Sequence, residues 1–208
     1  MAKPAKPEPK FFLVDEIFKR EIDYYDTTWF ADFGTAKIGG EKSTNYLESP
    51  VAAARIRAHL PTVKLVFILR EPADRAFSNY LWSRMNGQEH EEFATALARE
   101  EQRDRSEPPA LRYARLHAYF SRGLYADLLR PWFDFFQRSQ IICLRYEEII
   151  TNPRALAERL HRFLGVTPRP PQDAENLELS TLRRKASLRC LRRCATNCCS
   201  ATHKPIVG

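Results

Sequence analysis

At 208 residues, 44% apolar and 28% charged, the chain is ordinary globular material with enough length for one domain and a real core. It has no run of about 18 apolar residues, which argues against a membrane-spanning helix. Its first ten residues, MAKPAKPEPK, lack the apolar segment of a secretory signal, so a cytoplasmic location is expected.

The net charge of +7 does not describe a basic surface. Residues 180–208 hold seven Lys or Arg and no acid, which leaves 26 charges of each sign in the rest of the chain. A neutral body with a basic tail argues against a global field that attracts nucleic acid. That tail also holds four of the five cysteines: Cys190, Cys194, Cys198 and Cys199. Their spacing does not match paired zinc ligands, and no secretion signal favours disulfides, so free thiols on a poorly ordered tail are expected. The division drawn is a domain over 1–179 and a basic, Cys-rich tail over 180–208.

In chain order, residues 3–10 alternate Lys and Pro and read as extended, with Glu8 just before the apolar anchor Phe11–Phe12. Residues 17–33 are aromatic-rich and read as one or two short helices broken near residues 26–28. Gly39–Gly40 marks a turn, and the short polar segment EKSTNYL, 41–47, follows it. Residues 50–60 form a Pro-led helix stopped by Pro61.

Residues 64–69, KLVFIL, read as a strand covered on both faces. Arg70 ends it. Pro72 suits the first turn of a helix whose apolar face carries Ala73, Ala76, Phe77, Tyr80 and Leu81. A helix N-terminus beside a strand's carboxyl end favours anions, Arg70 adds a forked cation, and Ser78 adds a hydroxyl. That spacing reads as a phosphate clamp, and equally as a plain strand–helix unit with a solvated Arg and a capping Ser.

A loop is expected over 83–92, an amphipathic helix over 93–102, a charged break over 103–109, and a helix over 111–120. Residues 124–136 read as a further helix with Leu128, Leu129, Trp132, Phe133 and Phe136 in the core. Residues 139–145 read as a second buried strand in which Cys143 is a small core residue. Asn152–Pro153 starts a last helix with Leu156, Leu160, Phe163 and Leu164 on one face, and Gly165 ends it.

Several of these segments, EPKFF, EKSTNYL, LREPADRAFSNY, RGLYADLLRPWFDFF and the closing Tyr-Glu…Pro…FLGV run, resemble sulfotransferases that use 3′-phosphoadenosine 5′-phosphosulfate (PAPS). The nearest branch is that of the heparan sulfate N- and 3-O-sulfotransferases and their bacterial relatives. The resemblance implies a P-loop-NTPase-like α/β sandwich with a central, mostly parallel sheet. It implies transfer of a sulfuryl group from PAPS, a co-substrate, to a hydroxyl or amine, with a carbohydrate as acceptor and no metal. By residue, it implies Glu8 as general base, Lys42 as a stabiliser of charge on the transferring group, and Arg70 and Ser78 as the 3′-phosphate clamp. It also implies Arg122 and Tyr125, as secondary candidates, facing the nucleotide or the acceptor. The resemblance runs from about residue 8 to about 166. The family's opening strand and its Lys-containing Gly-Thr-Thr loop, which binds the 5′-phosphosulfate, have no counterpart in it. The resemblance therefore implies an N-terminally truncated member. The alternatives are an inactive, nucleotide-binding fragment, and a module that binds nucleic acid through its tail.

Overall fold

A computed structural model describes residues 8–31, 34, 36, 38–108 and 113–168. The tail 180–208, on which the thiol and order expectations fall, lies outside the described residues. The chain divides into two units after Leu144.

In the first unit, Phe11 and Phe12 are fully buried and touch edge to face at 4.9 Å. They seed the main core, with Tyr25 and Trp29 packed around them. Burying one such ring contributes about 2–3 kcal/mol, so the chain just after Glu8 is firmly placed. Two short helices follow, α1 (Asp15–Phe18) and α2 (Glu21–Trp29). Their break falls at Lys19–Arg20, earlier than expected, and Glu21 has φ +66° there. A 3₁₀ turn, Tyr46–Glu48, carries the polar segment into α3 (Pro50–His59). The Ser49 side chain accepts from the Ala52 amide at 3.1 Å and Pro50 occupies the first turn, a cap worth about 1 kcal/mol. Ala52, Ala53 and Ile56 enter the core.

Strand β1 (Leu65–Leu69) buries Phe67, with Leu65 and Leu69 beside it, while Val66 and Ile68 are exposed. Among the described residues it is therefore covered on one face, not two. Its hydrogen-bonded neighbour is the later strand β2, reached by a crossover of some seventy residues, and the pair is parallel. After β1 comes α4 (Pro72–Met85). It runs three residues past Trp82, into the stretch expected to be loop, and stops at Asn86. The expected helix over 93–102 is instead two helices broken at Arg99, α5 (Phe93–Ala98) and α6 (Glu100–Ser106). The charged break expected over 103–109 is helical through Ser106. Arg103 reaches Glu89 at 2.8 Å and Arg105 pairs with Glu101 one turn back, so charge supports the helix there.

The helix expected over 111–120 is not formed in its described part. Residues 113–120 are turns, and Arg115 has φ +43°. Arg115 reaches Glu48 and Ser121, while Tyr119 is fully buried with its hydroxyl on Glu89 at 2.8 Å. These tertiary ties outweigh local propensity. Helix α7 (Tyr125–Phe135) buries Trp132 and packs it on Phe67 and Phe136. The Trp132 indole N–H donates to the Leu47 carbonyl at 3.1 Å, tying α7 to the polar segment. Phe133, expected inside, is exposed. Strand β2 (Ile141–Arg145) buries Ile141 and Leu144 but leaves Cys143 exposed, so the expectation of a buried cysteine fails. Alternation puts Cys143 on the face of Ile141 and Arg145; Ile141 is buried at one end of that face and Arg145 exposed at the other, so its cover ends before Cys143.

The second unit, from Arg145, holds α8 (Glu148–Thr151) and α9 (Pro153–Leu164). Asn152 caps α9 by accepting from the Ala155 amide, Pro153 fills its first turn, and Gly165 closes it at φ +77°. The stripe Leu156, Leu160, Phe163 and Leu164 is half-buried. Among the described residues, no helix is long and apolar enough to cross a membrane.

Candidate active site

At the carboxyl end of β1 the first unit opens into a cleft of about 400 Å³. Arg70, Ser78, Arg122 and Tyr125 all line it, although they come from two distant stretches of the chain. Arg70 leaves the strand end with its side chain one-fifth exposed and its guanidinium 3.9 Å from Asp74. Ser78 sits two turns into α4. Arg122 lies on the 3₁₀ turn Ser121–Gly123, and Tyr125 starts α7. The Tyr125 hydroxyl donates to the Arg70 carbonyl at 2.9 Å, which pins the strand end to α7. Gly123 makes the approach possible, because a Cβ there would sit 3.1 Å from the Pro72 Cβ.

One expectation is corrected. The first turn of α4 does not offer its amides to an anion, because the Glu71 carboxylate accepts from the Ala73 and Asp74 N–H groups at 3.1 and 2.6 Å. A side-chain cap already fills the position that the helix dipole would favour for a bound anion. The cations of the cleft are side chains, not helix termini.

The cleft also contains groups that the sequence did not mark. Glu48 accepts from Arg122 Nε at 2.5 Å and from Arg115 at 3.4 Å. Asn79 accepts from the other branch of Arg122 at 3.2 Å, so that guanidinium is held on two sides. Arg75 donates to the Tyr119 carbonyl, yet its Nε is buried with no hydrogen-bond partner among the described residues. Burial and the nearby Arg122 charge lower the Arg75 pKa. Trp82, exposed at the rim, and Thr44 complete the wall. Nothing in a lone Glu before a Ser-Pro cap, or in one Arg among many, signals these roles. Asn79 lies next to Ser78 and could have been found from its place on α4.

The other two expected residues meet one another. Lys42 Nζ is 2.8 Å from Glu8 Oε1, the Thr44 hydroxyl also bonds that oxygen, and the Thr44 amide reaches Glu8 Oε2 at 3.4 Å. Lys10 is 4.0 Å away. Burial raises the Glu8 pKa, but hydrogen bonds from Lys42 and Thr44 and the Lys42 charge outweigh it and hold the carboxyl below its ordinary range. Thr44 lies in both groups, contacting Glu8 and lining the cleft. Among the described residues, no three His, Cys, Asp or Glu side chains are grouped to hold a metal ion.

Residues 36–199 match the model of the sulfotransferase domain family. The bifunctional heparan sulfate N-deacetylase/N-sulfotransferase 2 of Bos taurus is 30% identical over 171 residues, covering 78% of this chain. The corresponding type 1 protein of Xenopus laevis is 32% identical over 177 residues, covering 71%. The chain spans 19% and 18% of the lengths of these two relatives. A sulfotransferase from Alicyclobacillus acidocaldarius, known from its crystal structure, is 28% identical and superposes with a TM-score of 0.63, covering 82% of this chain and 73% of that one.

Proposed function

The chain belongs to the sulfotransferase domain family, and on that premise we propose that it moves a sulfuryl group from PAPS to a hydroxyl or amine of a carbohydrate. One observation carries the reading: Arg70 and Ser78 from one stretch, and Arg122 and Tyr125 from another far along the chain, line one cationic cleft. Arg75, in the same wall, adds a further guanidinium to it.

The donor supplies an activated sulfuryl group; the acceptor's oxygen or nitrogen bonds to sulfur as the bond from sulfur to the nucleotide's phosphate oxygen breaks. The acceptor's proton passes to Glu8. Arg70 holds the 3′-phosphate with a forked cation, and Ser78 adds a hydroxyl to it. Arg122, fixed by Glu48 and Asn79, supplies a second cation. Lys42 neutralises charge on the sulfuryl oxygens and the leaving phosphate. Held by Lys42, Glu8 is ionised at neutral pH but weakly basic. When Lys42 turns to the sulfuryl group, Glu8 loses that hold and becomes the stronger base that proton transfer requires. The names of the N-sulfotransferase relatives favour an amino sugar as acceptor.

Calorimetric titration with 3′-phosphoadenosine 5′-phosphate tests the donor site. Arg70→Ala is expected to weaken binding about 100-fold and Ser78→Ala about 10-fold, the scale of hydrogen bonds to a charged group. Unchanged affinity in folded variants would overturn the clamp. A sulfate-transfer assay on a de-N-acetylated glycan tests the chemistry. Glu8→Gln is expected to lower kcat by about 10²–10⁴-fold, and tight nucleotide binding without any transfer would refute the enzymatic reading.

A further inference from the structure

The backbone that carries Glu8 is held in an uncommon way. Lys10, two residues on, has φ +52°, a left-handed conformation costing a side-chain-bearing residue about 1–2 kcal/mol. Something must keep that bend. The Lys10 N–H donates to Ser43 Oγ at 3.0 Å, and the Phe12 N–H donates to the Tyr46 hydroxyl at 3.2 Å. Both hydroxyls turn to one side chain: Ser43 Oγ donates to Glu41 Oε2 at 3.3 Å, and the Tyr46 hydroxyl also interacts with Glu41. Two amides of the base-bearing segment are thus linked, each through one hydroxyl, to a single carboxyl. Glu41 directly precedes Lys42, the partner of Glu8, in the chain.

We propose that Glu41 is a positioning residue: by gathering the Ser43 and Tyr46 hydroxyls it sets the Lys10–Phe12 backbone, and with it Glu8, in register with Lys42 and Thr44. The inference rests on the reading of Glu8 as the base. Glu41 does not touch the reacting atoms in this scheme; it acts through the segment that does.

Its ionisation supports a link to pH. Burial raises its pKa, the Tyr46 and Ser43 hydroxyls work against that, and the charge of Glu8 raises it further, to about 7. The groups facing it are Glu8, Ser43, Tyr46 and, from α2, Tyr25, whose own ionisation its charge disfavours. As an anion Glu41 accepts from both hydroxyls. As a neutral acid one of its oxygens carries a proton and becomes a donor, so the grip on the base segment changes near neutrality.

The test uses the full chain. Glu41→Ala is expected to lower kcat about 10–100-fold, the scale of a small misplacement of a catalytic group. The donor KM and the affinity for 3′-phosphoadenosine 5′-phosphate should stay within about threefold of the parent. Glu41→Gln should restore part of the lost rate, while the limb of the pH–rate profile near pH 7 disappears in both variants. Amide hydrogen exchange gives a readout that needs no activity: protection at Lys10 and Phe12 should fall at least about 10-fold in Glu41→Ala, with amides packed around Trp132 unchanged. A parental rate and parental protection in Glu41→Ala, or a retained limb in Glu41→Gln, would overturn the role. Glu8→Gln in the same assay separates the two readings, since undiminished transfer there would refute the base assignment whatever Glu41 does.

Discussion

Two carboxylates in the first unit are each clasped by two cations, and they are clasped differently. Glu48 is 7% exposed and meets Arg115 and Arg122, themselves mostly covered. Glu8 meets Lys42, whose side chain is 77% exposed, and more distantly Lys10. Two guanidiniums with limited access to water make Glu48 a fixed strut, and the cleft wall is built on it. A flexible ammonium in water makes the hold on Glu8 releasable, as the role of base proposed for it requires. The same charge pattern is therefore fixed in one place and releasable in the other, and burial decides which.

Four measurements would break or sharpen this contrast. Glu48→Ala leaves two poorly solvated guanidiniums without their anion and is expected to cost about 3 kcal/mol in urea unfolding. A loss below about 1 kcal/mol would make Glu48 as dispensable as a surface acid. Gly123→Ala forces a methyl to 3.1 Å from the Pro72 Cβ, so a loss of about 1–2 kcal/mol is expected, together with weaker nucleotide binding. Lys42→Ala should shift stability by no more than about 0–1 kcal/mol, since its pair is exposed, while kcat falls about 10²–10³-fold. Equal losses in stability from Lys42→Ala and Glu48→Ala would erase the distinction.

The last effect is one of pH. Glu41 is raised in the folded chain, so its contribution to stability is present below its ordinary value of 4.5 and is lost as pH climbs through about 7. Glu8 is lowered, so its contribution is present above 4.5 and is lost as pH falls through its folded value. Between pH 5 and 8, stability should therefore shift in favour of Glu41→Gln over the parent, measured by urea midpoints. A constant difference would mean that Glu41 does not titrate in that window.

Much of the frame was legible because it is written in local signals. Ser49–Pro50, Glu71–Pro72 and Asn152–Pro153 start helices α3, α4 and α9, and Gly165 ends the last, each through a conformation its residue types favour. Arg70 and Ser78 were legible because strand, turn and helix fix their relation within nine residues. The turns at 113–120 and the break at Arg99 were not. There the chain follows distant partners, with Arg115 on Glu48 and Glu100 accepting the Phe120 and Ser121 amides, and such ties have no period along the sequence. Glu48 and Arg75 escaped for the same reason: a single charged residue has no pattern, and only burial and partners show its role.

The cap on α4 bears on how this cleft can be drugged. A ligand whose anionic head is aimed at the first-turn amides would have to evict the Glu71 carboxylate from two hydrogen bonds before gaining any. Chemistry built on planar anions that match guanidinium forks, extended toward the exposed indole of Trp82, works with the cleft as it stands. By the same reasoning, a compound selected against a relative whose helix end is open would lose its grip here, and that difference is a handle for selectivity.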